Sequence, residues 1–291
     1  MVPAVGDLGE LQSRVDSVAW YHSIDLGDGI VTDGFCKTFL DGSQLPDFAG
    51  ATVLDIGAWD GYYSFLAERR GAAKVVALDH YAWGVDFARR NPYWVDCHEK
   101  GLLPDHRLDT TDFWDPALPG RRGFDVAHEV LGSQVEAMVG DFSTMDVAPL
   151  GRFDIVLFLG VLYHLKEPLA ALERVRQLTG RVAVIETEAL VLGGDGPRSV
   201  LEFTAGCYRG FDYSNWYTPT IDAIHELCRA AGFSKVTTVI GPPLAPPASP
   251  PASGLARLDR GLRRRLGVRS QAAPPVTPPR KHFRALVHAY P

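Results

Sequence analysis

Apolar residues at Leu8, Leu11, Val15 and Val18 fall three and four apart, a spacing that predicts an amphipathic helix over residues 7–20. Such a helix hides its apolar side against the body of the chain or against a partner subunit, and a homodimer built through it is one expectation. Trp20-Tyr21-His22-Ser23-Ile24 and the glycine-rich stretch from Leu26 to Gly29 break the pattern and read as a loop, so residues 1–45 make a cap before the main domain, 46–291. From Val53 the periodicity changes. Short apolar runs at 53–56, 74–79, 135–139, 153–160, 181–185, 235–240 and 282–290 read as strands, the fifth ending at Glu186-Thr187-Glu188. Helical patterns at 62–70, at 124–131, from Pro168 onward and at 219–231 separate most of them. That alternation gives an α/β fold with a seven-stranded, mostly parallel sheet, and the last two strands close it as an antiparallel hairpin.

Two stretches fall outside the alternation. Residues 81–122 are aromatic and charged, with Trp83, Tyr93, Trp94, Phe113 and Trp114, and read as a lid or a substrate-binding elaboration. Residues 241–279 are dense in proline and alanine around a basic cluster, Arg263 to Arg265, and read as a mobile excursion. The chain has 291 residues, 46% of them hydrophobic, and a formal net charge of −6, which argues against broad electrostatic capture of nucleic acid. Cys36, Cys97, Cys207 and Cys228 form no C-x-x-C pair, so reduced thiols are expected and no metal site. The first residues carry no basic-then-apolar leader, and no apolar run reaches the ~18 residues of a membrane helix. A cytoplasmic protein without a membrane partner is the expectation.

The turn after the first strand carries the most chemistry. Val53-Leu54-Asp55-Ile56 runs into Gly57-Ala58-Trp59-Asp60-Gly61, where the glycines leave room for a ligand to approach the backbone. The next strand ends in Asp79, placed to accept hydrogen bonds from a ribose diol. A dinucleotide turn wants G-x-G-x-x-G around a pyrophosphate, whereas Asp55 and Asp60 here would repel one and would suit a sulfonium and its ammonium group. The arrangement resembles motif I of the class I S-adenosylmethionine (SAM) methyltransferases. That resemblance implies a Rossmann-like sheet, SAM as donor and S-adenosylhomocysteine (SAH) as product.

Cofactor contacts are then expected from Asp55, Gly57, Ala58, Trp59, Gly61, Asp79, His80 and Leu159, with Asp141 and Phe142 at the adenine or, alternatively, Asp141 as a helix cap. Because a sulfonium already carries its leaving group, the protein's tasks are alignment and exclusion of water, with a base added where the acceptor must lose a proton. His164, after the fourth strand, is the first candidate base, with Tyr163 beside it; Tyr21, His22, Glu129, Glu186 and Glu188 are further candidates. Trp20, Glu186, Glu188, Trp216, Tyr217 and Arg284 are candidate acceptor contacts, although Trp216 and Tyr217 fit the packing of a buried hairpin as well.

Trp20-Tyr21-His22-Ser23-Ile24, the stretch from Leu54 to Tyr62, Gly160-Val161-Leu162-Tyr163-His164, Ile185-Glu186-Thr187 and the terminal stretch from Arg284 to Ala289 together resemble one narrower branch. It includes the tRNA wobble-uridine (carboxy)methyltransferases and many bacterial relatives in natural-product pathways. In the tRNA enzymes the resemblance implies that a lysine, a tyrosine and an arginine hold the extra carboxylate of carboxy-SAM. Tyr163 and Arg284 match two of them, and the lysine is replaced by Ala19 or a neighbour. A desolvated carboxylate short of one cation is costly, so plain SAM is the expected donor. The expected activity is methyl transfer to oxygen, nitrogen or an electron-rich carbon such as indole C3 of a small molecule in bacterial secondary metabolism. The alternatives are tRNA wobble-uridine (carboxy)methylation and a non-catalytic SAM-binding subunit.

Overall fold

The computed structural model describes residues 8–36, 40, 42–192, 198–206, 212–243 and 281–291. The Pro-rich 241–279 stretch, with Arg263 to Arg265, lies almost wholly outside them. Helix α1 (Leu8–Asp16) and a small hairpin, β1 (Asp25–Gly27) with β2 (Ile30–Val31), precede the main sheet. Then come β3 (Thr52–Ile56), α2 (Tyr62–Arg69), β4 (Lys74–Asp79), α3 (Tyr81–Gly84), α4 (Phe87–Glu99), α5 (Arg122–Leu131), β5 (Glu136–Val139), β6 (Phe153–Leu159), α6 (Pro168–Leu178) and β7 (Thr179–Val191). A second hairpin, β8 (Leu201–Gly206) with β9 (Asn215–Pro219), leads to α7 (Ile221–Ala230), β10 (Lys235–Ile240) and β11 (Lys281–Tyr290).

Seven strands form one sheet in the order β10-β11-β7-β6-β3-β4-β5. β3 pairs in parallel with both β4 and β6, so the chain winds outward from β3 in one direction and then returns to build the other half. The carboxyl ends of β3 and β6 meet at that reversal, where open α/β sheets hold ligands. β11 lies antiparallel between β7 and β10, the expected closing hairpin. β3 has the alternation of a strand covered on both faces: Leu54 and Ile56 pack with α6 and α7 in one core layer, and Val53 with α1, the cap and α5 in the other. Leu11 and Val15 are buried in that second layer, so the body of the same chain covers the apolar side of α1.

Two expectations need correction. β7 does not end at Glu186-Thr187-Glu188 but runs on to Val191, because β11 pairs along it from Ala289 opposite Ala183 to Lys281 opposite Val191. Within residues 81–122 lie α3, α4 and short 3₁₀ turns, with Trp83 and Trp94 fully buried. The helix foreseen over 7–20 stops at Asp16, and the loop after it contains the β1–β2 pair.

Candidate active site

The turn after β3 is held open by backbone conformations that few residues adopt. Gly57 has φ +80°, and a Cβ there would sit 2.5 Å from Val161 Cγ2. A Cβ on Gly61 would meet the rings of Phe65 and Phe124. Glycine at both positions lets the β6 loop and α5 close onto the turn. Trp59 is left-handed with φ 46°, which costs a non-glycine residue about 1–2 kcal/mol. Three contacts hold it there: its N–H donates to Asp79 Oδ2 at 2.9 Å, its carbonyl accepts from Trp83 Nε1 at 2.6 Å, and its ring stacks on Tyr21 at 4.3 Å.

Asp79 thus ties the glycine turn to the end of β4. Its Oδ1 accepts from Ala82 N at 3.0 Å, and burial pushes its pKa up to about 6 against the pull of the surrounding N–H groups. Asp55 is also raised to about 6 by burial, and it accepts from Ser64 Oγ of α2 at 2.6 Å. His80 stacks on Trp114 at 4.2 Å, and burial lowers its pKa. Asp141 accepts from Ser143 N at 2.8 Å and Thr144 Oγ1 at 3.0 Å, which makes it the cap of its own turn. Phe142 does not reach the crevice: it is buried in the α6–α7 core layer against Phe158.

Across the sheet reversal, the loop after β6 presents the second half of the site. Leu159 ends the strand half-buried, and Gly160 follows with φ +72°. A Cβ on Gly160 would lie 3.4 Å from an Arg284 guanidinium nitrogen and 3.8 Å from the Tyr163 hydroxyl. His164 Nδ1 lies 2.9 Å from the carbonyl oxygen of Ser214, an atom that can only accept. Nδ1 is therefore the protonated nitrogen of the neutral ring, and the lone pair is on Nε2. Burial lowers the His164 pKa, opposed by the Ser214 bond and by the charge of Asp212; the charges of Arg284 and Arg90 lower it further. Asp212 in turn fixes the loop, accepting from Ser214 N at 2.9 Å and Ser214 Oγ at 2.6 Å.

Arg284 projects from β11 opposite Glu188 of β7. Glu186 takes its guanidinium in a two-pronged ion pair, and Glu188 Oε2 lies 3.5 Å from Nη1. Both carboxylates are thus engaged with one cation. The Arg284 guanidinium also covers the Tyr163 ring at 5.0 Å. Burial raises the phenol pKa of Tyr163 and of Tyr21, whose ring senses Tyr163, Arg284 and Glu186.

The cap reaches this site through Tyr21 and His22. Asp60 accepts from Tyr21 N at 3.0 Å, His22 N at 2.6 Å and His22 Nδ1 at 2.6 Å, which pins the cap onto the glycine turn. Asp60 is therefore a clamp and does not face a ligand's ammonium group. Trp20 belongs to the core: it is 3% exposed, and its indole N–H donates to the Val15 carbonyl at 2.9 Å. Glu129 lies on the outer side of α5, 66% exposed at its side chain, in an ion pair with Arg14 of α1 at 2.6 Å. Neither shares the crevice with His164. Trp216 and Tyr217 sit on β9, where Trp216 meets His106 at 4.9 Å and Tyr217 meets Phe203 at 5.5 Å. Ser214, Asp212 and Arg90 gave no sequence signal; only the adjacency of Asp212-Tyr213-Ser214 to the aromatic pair could have pointed to them.

The sheet order, the acid at the end of β4 and the Tyr163-His164 loop at the strand reversal define a class I SAM-dependent methyltransferase. Residues 34–238 match the family described as a methyltransferase domain, and the chain belongs to that family. A curated relative from Alteromonas mediterranea named tRNA U34 carboxymethyltransferase is 31% identical over 193 residues, 65% of this chain and 47% of the relative. Its namesake from Actinobacillus pleuropneumoniae is 24% identical over 196 residues, 67% of this chain and 49% of the relative. The chain spans about half the length of the curated relatives it matches. The crystal structure of the N-terminal domain of EvdMO1 in the presence of SAH and D-fucose shares the fold, with TM-score 0.58, 18% identity and coverage of 98% of this chain and 97% of that one. As a member of that family the chain is a SAM-dependent methyltransferase by class. Among the described residues no helix is long and apolar enough to cross a membrane.

Proposed function

We propose that the protein moves a methyl group from SAM to a nucleophilic atom of a small molecule of bacterial secondary metabolism, with His164 as the base. The observation that carries this reading is the His164 tautomer: Nδ1–H is held by the Ser214 carbonyl and the lone pair is on Nε2. SAM supplies an electrophilic methyl group on sulfur. His164 Nε2 takes the proton that an acceptor hydroxyl or N–H gives up as its bond to the methyl carbon forms. The ring then carries two N–H groups; Nδ1–H stays on Ser214, and the charge of Asp212 favours this protonated state. Arg284 and Arg90 oppose it, which returns the proton to water for the next turnover. A depressed pKa keeps the ring neutral at pH 7, the form a base requires. Tyr21 and Trp59 cover the turn as a stacked pair and keep water from it.

Plain SAM is the better fit as donor. Arg284 already faces two carboxylates of its own chain, and a third from carboxy-SAM would add negative charge where burial makes it costly. The names of the curated relatives favour a second reading, wobble-uridine modification of tRNA. The net charge of −6 counts against a folded RNA as acceptor. The EvdMO1 domain was crystallised in the presence of a sugar, D-fucose, which is consistent with a small hydroxylated acceptor for this fold. Mass spectrometry of the nucleoside retained on purified protein tests the donor: SAM or SAH is expected, and carboxy-SAM would overturn the plain-methyl reading.

A further inference from the structure

The insertion between β4 and α5 buries polar groups that the donor site does not use. Arg90, on α4, is buried with its guanidinium over the Trp94 ring at 3.7 Å and over Phe87 at 4.5 Å. It donates to the Tyr81 hydroxyl at 2.6 Å, and that hydroxyl donates to Asp109 Oδ2 at 3.1 Å. His106 Nδ1 is 3.5 Å from the same carboxylate. Asp109 is 4% exposed and Trp94 is 1% exposed. Among the described residues, Asp109 Oδ1 and Trp94 Nε1 are nonetheless buried without a hydrogen-bond partner. One is a charged acceptor and the other a donor, and native interiors rarely leave either unmet.

Their place relative to the base is set by three residues where the chain enters β9. Tyr213 packs edge-on against Trp94 at 5.9 Å, Ser214 holds His164, and Trp216 meets His106 at 4.9 Å. The charge of Arg90 reaches His164 directly. The unmet pair therefore adjoins the base from the insertion side, not the side of Asp79.

Resting on the methyltransfer reading, we infer that Asp109 Oδ1 and Trp94 Nε1 form the acceptor subsite for a polyhydroxylated ring. A hydroxyl is the group that answers both needs, since it donates to the carboxylate and accepts from the indole N–H. Neighbouring hydroxyls of a sugar or cyclitol satisfy the two atoms together. An indole cannot, because it offers a donor alone, and a phenol whose hydroxyl meets both atoms sets an apolar ring against the polar groups of Arg90, Tyr81 and His106. Tyr81 and Arg90 act as positioning residues that aim the Asp109 carboxylate.

Titration calorimetry of the SAH-loaded protein with D-fucose, D-glucose, myo-inositol, indole and phenol tests this. Binding of at least one polyol is expected, and Trp94→Phe, which keeps a ring and removes the N–H, should weaken it about tenfold with SAH affinity unchanged. Asp109→Asn should weaken it by a similar or larger factor, again without touching SAH. Indole or phenol binding in place of the polyols, or polyol binding unchanged in both variants, overturns the subsite. His164→Gln separates this from the methyltransfer reading: it should bind the polyol like wild type and transfer no methyl group. If it transfers as wild type does while the subsite variants weaken binding, the base assignment fails and the subsite stands.

Discussion

On the proposed reading His164 is the base, and the bond from its ring to the Ser214 carbonyl decides its tautomer. Because the Ser214 carbonyl fixes Nδ1–H, replacing the ring with glutamine keeps a similar shape but removes the lone pair at Nε2. His164→Gln should lower kcat by roughly 10²–10⁴-fold with SAM affinity unchanged, read by single-turnover transfer and SAH titration. The ring's depressed pKa places the acid limb of the rate profile below the ordinary histidine value of about 6.5. The same shift has a stability consequence. The folded protein holds fewer protons at His164 than the unfolded chain just below that value, so this group lowers stability as pH falls through the window.

At Asp79 the sign reverses. Its folded pKa of about 6 exceeds the unfolded value of 3.8, so the free protein loses stability from this group as pH rises between the two. Accepting from a ribose hydroxyl is strongest for the ionised form, so SAH affinity should climb between pH 5 and 7 and level off above. Asp79→Asn should cost about 1.5–3 kcal/mol of binding, roughly 10- to 150-fold in Kd, and flatten the pH dependence. A variant whose SAH affinity still climbs by the same factor would assign the titration to another group, with Asp55 the next candidate.

Among the elements, the cap and the β7–β11 pair depend on buried charge. Asp60 takes three donors from Tyr21 and His22, so Asp60→Ala leaves them unmet and should cost about 3 kcal/mol, lowering Tm by roughly 6–12 °C. Limited proteolysis should then cut within 17–36 first, and cleavage elsewhere before that stretch would contradict the clamp. The core strands were legible in the chain because Val53 to Ile56, Lys74 to Asp79 and Phe153 to Leu159 are apolar runs, whereas their order in the sheet came only from the structure. The end of β7 was not, since Glu186, Thr187 and Glu188 look like a strand terminus until Arg284 arrives from β11 to neutralise them. Phe142 failed for a related reason: an aromatic after a strand is the same letter whether it faces the crevice or Phe158. Glu129 failed because α5 is amphipathic and the sequence does not say which partner covers its polar side. His164 was legible as a residue, but its tautomer depends on a carbonyl fifty positions away.

For the molecule as a whole, the sheet reversal at β3 and β6 divides the work. On the proposed reading the β3–β4 half, with the glycine turn and Asp79, takes the donor, the loop after β6 supplies the base, and the insertion between β4 and α5 takes the acceptor. On the same reading the Arg284–Glu186–Glu188 cluster selects the donor by its charge. Glu186→Gln should free part of the guanidinium and raise affinity for carboxy-SAM relative to SAM, measured by competition; an unchanged ratio would mean that Arg284 does not face the donor. The most direct measurement of the central claim is transfer of labelled methyl from SAM by the purified protein, offered sugars, phenols, indoles and bulk tRNA side by side. Label on a small molecule, lost with His164→Gln, is the expected result. Label on tRNA alone would contradict it.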